Sequence, residues 1–134
     1  MSIRIRNITF DCADSRALAA FWSTVTGWNV YYDDDPEVVV APHFPNDGTG
    51  MLFIPVPEGK TAKNRLHLDL EPETMTRDNA VTAALSAGAT VIGDHRKDDG
   101  SGWVTLADPE GNEFCIERSA GEQTRSPRSF RIGT

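Results

Sequence analysis

The chain has 134 residues, of which 39% are hydrophobic and 25% are charged, as expected of one globular domain. Its formal net charge of −7, with no cluster of Lys and Arg in its body, argues against nucleic acid or an anionic membrane as a partner. We find no signal-peptide pattern and no apolar run long enough to span a bilayer, so we predict a cytoplasmic protein. Cys12 and Cys115 each lie in an apolar stretch and are predicted to be buried thiols rather than a disulfide.

The first half of the chain is predicted to fold as a strand, a helix and three further strands. Apolar and polar residues alternate over residues 3–12, which indicates a half-buried strand. Asp14 is placed to cap a helix and Gly27 to end it. The apolar stripe of this helix consists of Leu18, Phe21, Trp22 and Val25. Three strands follow, separated by an acidic turn and by a loop rich in proline and glycine: 28–32, 37–41 and 51–56.

The second half repeats this order after a linker. Residues 65–71 alternate like a strand, and residues 74–87 are predicted to form a helix that ends at Gly88. Its apolar side would carry Val81, Ala84 and Leu85, and the last three strands are predicted at 90–93, 103–107 and 113–118. The copies begin about sixty residues apart, which indicates a duplicated βαβββ unit. We therefore predict a domain over 1–119, with modules at about 1–60 and 61–119, and a flexible tail over 120–134.

The two faces of the predicted strands differ in chemistry. The helices should cover an apolar face made of Ile8, Phe10, Leu52, Ile54, Val56, Leu66, Leu68, Leu70, Val104, Leu106, Phe114 and Ile116. The opposite face would hold Asn7, Thr9, Asp11, Met51, Phe53, His67, Asp69, Trp103, Thr105, Glu113, Cys115 and Glu117. Large aromatic side chains fit poorly in open solvent, and unpaired carboxylates fit poorly in a dry core. This mixture predicts a concave cup for a small molecule that is partly apolar and partly polar.

The predicted catalytic residues are His67, Asp11 and Asp69. Imidazole is well suited to proton transfer near neutral pH, so His67 could be a general base or a metal ligand. Equally, it could line the cup as a partner of either carboxylate. Asp69 could instead pair with Arg65, and Asp11 could accept backbone N–H groups near the start of the first helix.

Further residues are predicted to bind the ligand: Asn7, Thr9, Phe53, Trp103, Cys115 and Glu117. Trp103 could stack on a planar ligand or pack within the protein. Cys115 could be a nucleophile, but the pattern favours a small buried side chain. His43 and His95 lie in loop or turn contexts and are interpreted as surface residues.

Four segments resemble the glyoxalase-like subgroup of the vicinal oxygen chelate superfamily. They are Phe10-Asp11-Cys12-Ala13-Asp14, Ala20-Phe21-Trp22, Lys63-Asn64-Arg65-Leu66-His67-Leu68-Asp69-Leu70 and Asp108-Pro109-Glu110-Gly111-Asn112-Glu113-Phe114-Cys115. The resemblance covers about residues 3–118. It implies an α+β fold in which two βαβββ modules form one curved, mostly antiparallel eight-stranded sheet with the helices on its outer face. It also implies a homodimer.

Enzymes of this superfamily bind a divalent metal at positions that correspond here to Asn7, about Phe53, His67 and Cys115. Of these, His67 alone is a standard ligand in its standard place. Asn7 stands where many members have histidine, Cys115 stands where many have glutamate, and Phe53 cannot bind metal. Asp11, Asp69 or Glu117 could supply a further ligand, but the set as it stands predicts no tightly bound metal and no other cofactor.

The resemblance leaves two main functions open. The first is a lyase or isomerase that acts on a small organic metabolite, with His67 as its acid–base group. The second is a metal-free protein that sequesters a drug or metabolite, as in the bleomycin-resistance branch. A regulatory or interaction domain is a weaker third alternative, because a fold does not define a function.

Overall fold

The computed structural model describes residues 1–32 and 35–123. The chain divides into two compact units, the first spanning Met1–Thr61 and the second beginning at Ala62. Over the described residues, each unit contains one α-helix and one four-stranded sheet, in the order strand, helix, strand, strand, strand. The predicted α+β fold of two βαβββ modules is confirmed, and the joining of both sheets into one stays a prediction.

The first module comprises β1 (Asn7–Cys12), α1 (Ser15–Thr26), β2 (Asn29–Tyr32), β3 (Val38–Ala41) and β4 (Gly50–Pro55). Its strands lie side by side in the order β1-β4-β3-β2. β1 and β4 are parallel, and the other neighbours are antiparallel.

Both ends of α1 lie where the sequence predicts them. The Asp14 carboxylate accepts a hydrogen bond of 3.0 Å from the backbone N–H of Ala17. Gly27 adopts a φ of +74°, and its N–H donates to the Ser23 carbonyl at 2.9 Å. Capping at both ends gives hydrogen-bond partners to backbone groups that would otherwise lack them at the ends of a helix.

In the first module, the side chains of β1 that face α1 are the predicted ones. In β4, the side chains that face α1 are those predicted for the opposite side. The Phe10 ring lies 5.4 Å from the Trp22 ring of α1, so Phe10 faces the helix as predicted. Phe53 is paired with Phe10 across the parallel strands, stacks on it at 5.0 Å and is 0% exposed. Phe53 therefore belongs to the core beneath α1, and Leu52 and Ile54 project from the other face. The predicted faces of β4, and with them Phe53 as a ligand-binding residue on the open face, are wrong.

The second module comprises β5 (Leu68–Leu70), α2 (Arg77–Ala87), β6 (Thr90–Asp94), β7 (Val104–Ala107) and β8 (Glu113–Ile116). Its strand order is β5-β8-β7-β6, again with the first and last strands parallel. Leu66 precedes β5 and is 71% exposed, and Leu85 of α2 is 40% exposed, so neither contributes to the predicted core. Val81 and Ala84 form the buried side of α2.

The registers of the second sheet separate an apolar face from a polar one. Leu68, Phe114 and Leu106 lie opposite one another on three neighbouring strands. This row is the apolar face, because Phe114 and Leu106 are buried and α2 packs on β8. Asp69, Cys115 and Thr105 form the next row and point to the other side, which we call the helix-free face. The predicted faces of β7 and β8 are confirmed.

Arg77, at the start of α2, is a buried charged residue that holds two other segments. Its guanidinium Nη1 donates to the backbone carbonyls of Gly100, Ser101 and Gly102 at 3.0–3.1 Å. Its own backbone N–H donates to the Glu122 carboxylate at 2.8 Å. The side chain thus connects the start of α2 to the loop between β6 and β7.

A short 3-10 helix, Ala120–Glu122, follows β8 and is held in place by hydrogen bonds. The Ser119 N–H donates to the Glu122 carboxylate at 2.9 Å, in addition to the bond from Arg77. Local hydrogen bonds thus hold the first residues of the segment predicted as a flexible tail over 120–134, and that tail stays a prediction. Residues 124–134 lie outside the described residues.

The turn between β7 and β8 is closed by a buried carboxylate, that of Asp108. It accepts from the backbone N–H of Glu110 at 2.9 Å and of Asn112 at 3.0 Å, and from the Asn112 side-chain amide at 2.9 Å. Gly111 has a φ of +87°, a conformation that glycine adopts without strain. The predicted tight turn is confirmed, and it sets the start of β8.

Candidate functional site

The helix-free face of the second module brings together three side chains that the sequence singles out: His67, Asp69 and Cys115. Their potential ligand atoms all lie within 4.8 Å of one another. Asp69 and Cys115 are opposite each other on β5 and β8, and His67 precedes Asp69 by two residues. The parallel pairing of β5 with β8 therefore creates this cluster from residues 46 to 48 positions apart in the chain.

The imidazole of His67 lies at the edge of this cluster. Its Nδ1 atom is 3.5 Å from an Asp69 carboxylate oxygen, and the two side chains are 23% and 29% exposed. Nδ1 is nevertheless buried, and it makes no hydrogen bond within the described part of the chain. The pair is thus close enough for attraction when His67 is protonated, but it does not have hydrogen-bond geometry. A buried polar atom in this state needs a functional or structural explanation.

Cys115 forms the floor of the cluster and is only 1% exposed. Its Sγ atom lies 3.4 Å from the Thr105 hydroxyl, and either atom can be the donor. A nucleophilic cysteine needs access and an activating base, whereas this thiol is enclosed and shares a hydrogen bond with a neutral hydroxyl. The geometry favours Cys115 as a buried wall of the site.

Trp103 extends the same face and stacks on His95. The ring centroids are 4.6 Å apart, and the planes are inclined by 27°. A Cβ atom on Gly93 would come within 2.8 Å of the His95 Nε2 atom, so glycine at this position leaves room for the imidazole. Sequence patterns gave His95 no role. The combination of Gly93, His95 and Trp103 is the signal that could have identified the role of His95. The antiparallel pairing of β6 with β7 brings these three positions together.

Three of the remaining predicted residues belong to the first module, and one belongs to the second. Asn7, Thr9 and Asp11 alternate with Phe10 on β1, so they project from the side of the first sheet that α1 does not cover. Thr9 and Asp11 are exposed and Asn7 is half-buried. In the second module, half-buried Glu117 follows Cys115 by two residues, and its N–H extends the ladder to the Leu70 carbonyl at 2.8 Å.

The residues present do not fit the four-position metal site that the resemblance implies. Phe53 is buried against Phe10 and offers no donor atom. The cluster of His67, Asp69 and Cys115 offers three donor atoms, all within 4.8 Å of one another, where a closed tetrahedral zinc site has four ligands. No step below therefore depends on a metal.

We expect the purified protein to contain well below one zinc, nickel, manganese or iron ion per chain, because the donors present do not complete a site. Elemental analysis after dialysis tests this expectation, with His67→Gln as the comparison. A content of about one ion per chain that this substitution abolishes would contradict it.

Comparison with known proteins agrees with this architecture. The computed structure superimposes on a glyoxalase/bleomycin resistance protein/dioxygenase family enzyme from Burkholderia phytofirmans PsJN with a TM-score of 0.66, at 19% identity, covering 85% of this chain and 97% of that one. It superimposes on the fosfomycin resistance protein FosX from Mesorhizobium loti with a TM-score of 0.68, at 12% identity, covering 96% and 98%. TnmS3, an antibiotic-binding protein from Streptomyces sp. CB03234, gives 0.60 at 17% identity, covering 87% and 97%. At these identities the similarity shows the fold.

The paired βαβββ modules thus define a protein of the vicinal oxygen chelate superfamily. Residues 7–117 match the sequence profile of the glyoxalase-like domain, and the chain belongs to that family. No curated protein sequence gives a significant match. Within the described residues, no helix combines the length and apolar character needed to cross a membrane. The homodimer and the cytoplasmic location stay predictions.

Proposed function

We propose that this protein binds a small organic molecule on the helix-free face of the second module and that His67 exchanges a proton with it, as a lyase or isomerase would require. The observation that carries the proposal is the imidazole whose buried Nδ1 lies 3.5 Å from the Asp69 carboxylate. A histidine beside a carboxylate, at the margin of a partly apolar wall, has the elements of an acid–base site.

Asp69 acts as a positioning residue in this scheme. A carboxylate near Nδ1 favours the tautomer that carries its proton there, which leaves Nε2 to accept a proton from a bound molecule. The same carboxylate stabilises the imidazolium that results. The distance of 3.5 Å is expected to shorten when a ligand binds, as catalytic hydrogen bonds often do. Asp11, exposed on β1, stays the candidate for a second carboxylate, and Asn7 and Thr9 stay candidate ligand contacts.

A second function, sequestration of a drug or metabolite without chemical change, is favoured by one observation. Within the described residues no hydrogen bond fixes the His67 Nδ1 atom, and its distance of 3.5 Å from the Asp69 carboxylate lacks hydrogen-bond geometry. Binding tolerates this freedom better than proton transfer does. The similar folds include both kinds of protein, since one is described as an enzyme and another as antibiotic-binding.

Replacing His67 with glutamine should weaken ligand binding by at least about 5- to 30-fold, equivalent to about 1–2 kcal/mol for one lost hydrogen bond in a partly buried site. Ligands are first found by a thermal-shift screen of metabolites and antibiotics, and affinities are then measured by calorimetry. The matched control is His43→Gln, which removes a 61% exposed imidazole of the first module.

Incubating each ligand with the protein in deuterated water separates the two functions. Deuterium incorporation or conversion that the wild-type protein catalyses and His67→Gln does not would support acid–base chemistry. A ligand that binds tightly, depends on His67 and is recovered unchanged would support sequestration. Equal affinity of wild type and His67→Gln for every ligand would place the site elsewhere.

A further inference from the structure

The first module contains a cavity of about 540 Å³ that none of the assignments above uses. One wall is a continuous row across three strands, because Tyr31 lies opposite Val39 and Val39 lies opposite Leu52. These three side chains line the cavity on the face that α1 does not cover. A volume of this size is within the range of sites for drug-sized molecules.

An aromatic side chain from the following loop adds a second wall. The Phe44 ring lies 5.6 Å from the Tyr31 ring, and the planes are inclined by 39°. Phe44 is 71% exposed, so it contributes little to the core of the module. Two rings that meet at an angle beside aliphatic side chains form a surface on which a flat or bulky apolar group can pack.

The charge on the lining is one-sided. Asp35 and Glu37 both line the cavity and are exposed. The Asp35 carboxylate accepts a hydrogen bond of 2.9 Å from the backbone N–H of Glu37, which fixes the turn between them. Among the described residues that line this cavity there is no lysine or arginine. Within the described lining the charged side chains are thus all acidic, and the nearby Arg16 guanidinium is engaged by the Tyr32 ring.

Cation binding to an aromatic ring already occurs next to this cavity. The Arg16 guanidinium lies over the Tyr32 ring, 4.2 Å from its centroid. Arg16 lines a neighbouring pocket, which shares Val30 and Tyr32 with this cavity. Arg16 occupies the Tyr32 ring, and the Tyr31 and Phe44 rings are the aromatic surface offered to a cation from solution.

From the aromatic walls, the size and the acidic rim together, we infer that this cavity binds an organic cation that carries an apolar group, such as a quaternary or protonated amine joined to a ring. The apolar group packs on Tyr31, Val39 and Leu52, and the positive charge lies between the rings and the carboxylates, where cation–π and ionic attraction act together. The inference concerns the first module and does not depend on the acid–base role of His67.

The test compares two probes of almost the same shape: benzyltrimethylammonium and its neutral carbon isostere, neopentylbenzene. Both are titrated into 15N-labelled protein and followed by NMR, which locates binding residue by residue. We expect the cation to shift the amides of Tyr31, Val39 and Leu52 and to bind at least about ten-fold more tightly than the isostere. Equal affinity of both probes, or shifts confined to other residues, would overturn the inference.

Variants then test each wall. Glu37→Gln should weaken binding of the cation about three- to ten-fold, and Phe44→Leu should do the same through loss of the ring. The control for charge is Glu58→Gln, which removes an exposed carboxylate of the same module that does not line the cavity. If Glu37→Gln and Glu58→Gln weaken cation binding equally, the preference for the cation reflects only the net charge of the protein. That result would refute a specific site in this cavity. His67→Gln should bind the cation as tightly as the wild-type protein does. The inference about this cavity and the acid–base proposal can therefore succeed or fail separately.

Discussion

Replacing Arg77 with methionine is expected to lower the free energy of unfolding by about 3–5 kcal/mol, measured by urea denaturation. Arg77 is 5% exposed, and its guanidinium is the donor to three successive carbonyls, those of residues 100–102. Methionine fills much of the same space but donates nothing, so these carbonyls lose their shared donor. The loop before β7 should loosen together with the global loss of stability.

Lysine at the same position should recover only part of this loss, because an ammonium group lacks the planar fork of a guanidinium. The matched control is Arg96→Met. Arg96 is 34% exposed and binds Asp94 and Asp78 at the surface. Hydrogen bonds from Arg96 lower the pKa of Asp94 to about 2. Solvent screens such surface pairs, so Arg96→Met should cost less than about 1 kcal/mol. Equal losses for both methionine variants would show that burial of Arg77 contributes nothing specific.

Replacing Asp108 with alanine should cost about 2–3 kcal/mol, because one buried carboxylate closes the whole turn before β8. Two backbone N–H groups and one side-chain amide would lose their acceptor. The turn also adjoins Asn64, whose side-chain oxygen accepts the Glu113 N–H at 3.2 Å, so the approach to β5 should be disturbed as well. Chemical denaturation measures the loss, and NMR shifts of β5 and β8 show its reach.

Asp99 offers a control with the same local chemistry in an exposed place. Its carboxylate accepts from the Ser101 hydroxyl at 2.6 Å and from the Ser101 N–H at 2.9 Å, and these two bonds lower the pKa of Asp99. Water can replace an exposed acceptor, so Asp99→Ala should cost less than about 1 kcal/mol. Asp108→Asn, which keeps an oxygen acceptor, should lie between the two alanine variants. A loss at Asp108 no larger than that at Asp99 would contradict the role assigned to burial.

Local chemistry made much of the fold predictable from sequence. Asp14 and Gly27 mark the ends of α1 because capping and a positive φ depend on the residue itself and its nearest neighbours. The turn at 108–112 was equally visible. The faces of β4 were not, because Met51, Leu52, Phe53 and Ile54 are all apolar and alternation carries no information there.

The candidate site was predictable in part for the same reason. Asp69 and Cys115 alternate with apolar residues on well-patterned strands, so their common face followed from period two. Arg77 gave no comparable signal, since three of its partners are backbone carbonyls more than twenty residues away. The cavity of the first module also escaped prediction. It depends on the register of Tyr31, Val39 and Leu52, which pattern alone left open.

The parallel pairing of the first and last strands of each module also sets an order for folding during synthesis. In the first module β1 pairs with β4, so its sheet cannot be completed until the ribosome has made Pro55. Because β4 ends before Ala62, every strand of that sheet exists before the second module begins. The second module repeats the delay, since β5 must await β8. The strands of the first module are therefore all made before β5 has its partner β8, which limits pairing between the wrong copies.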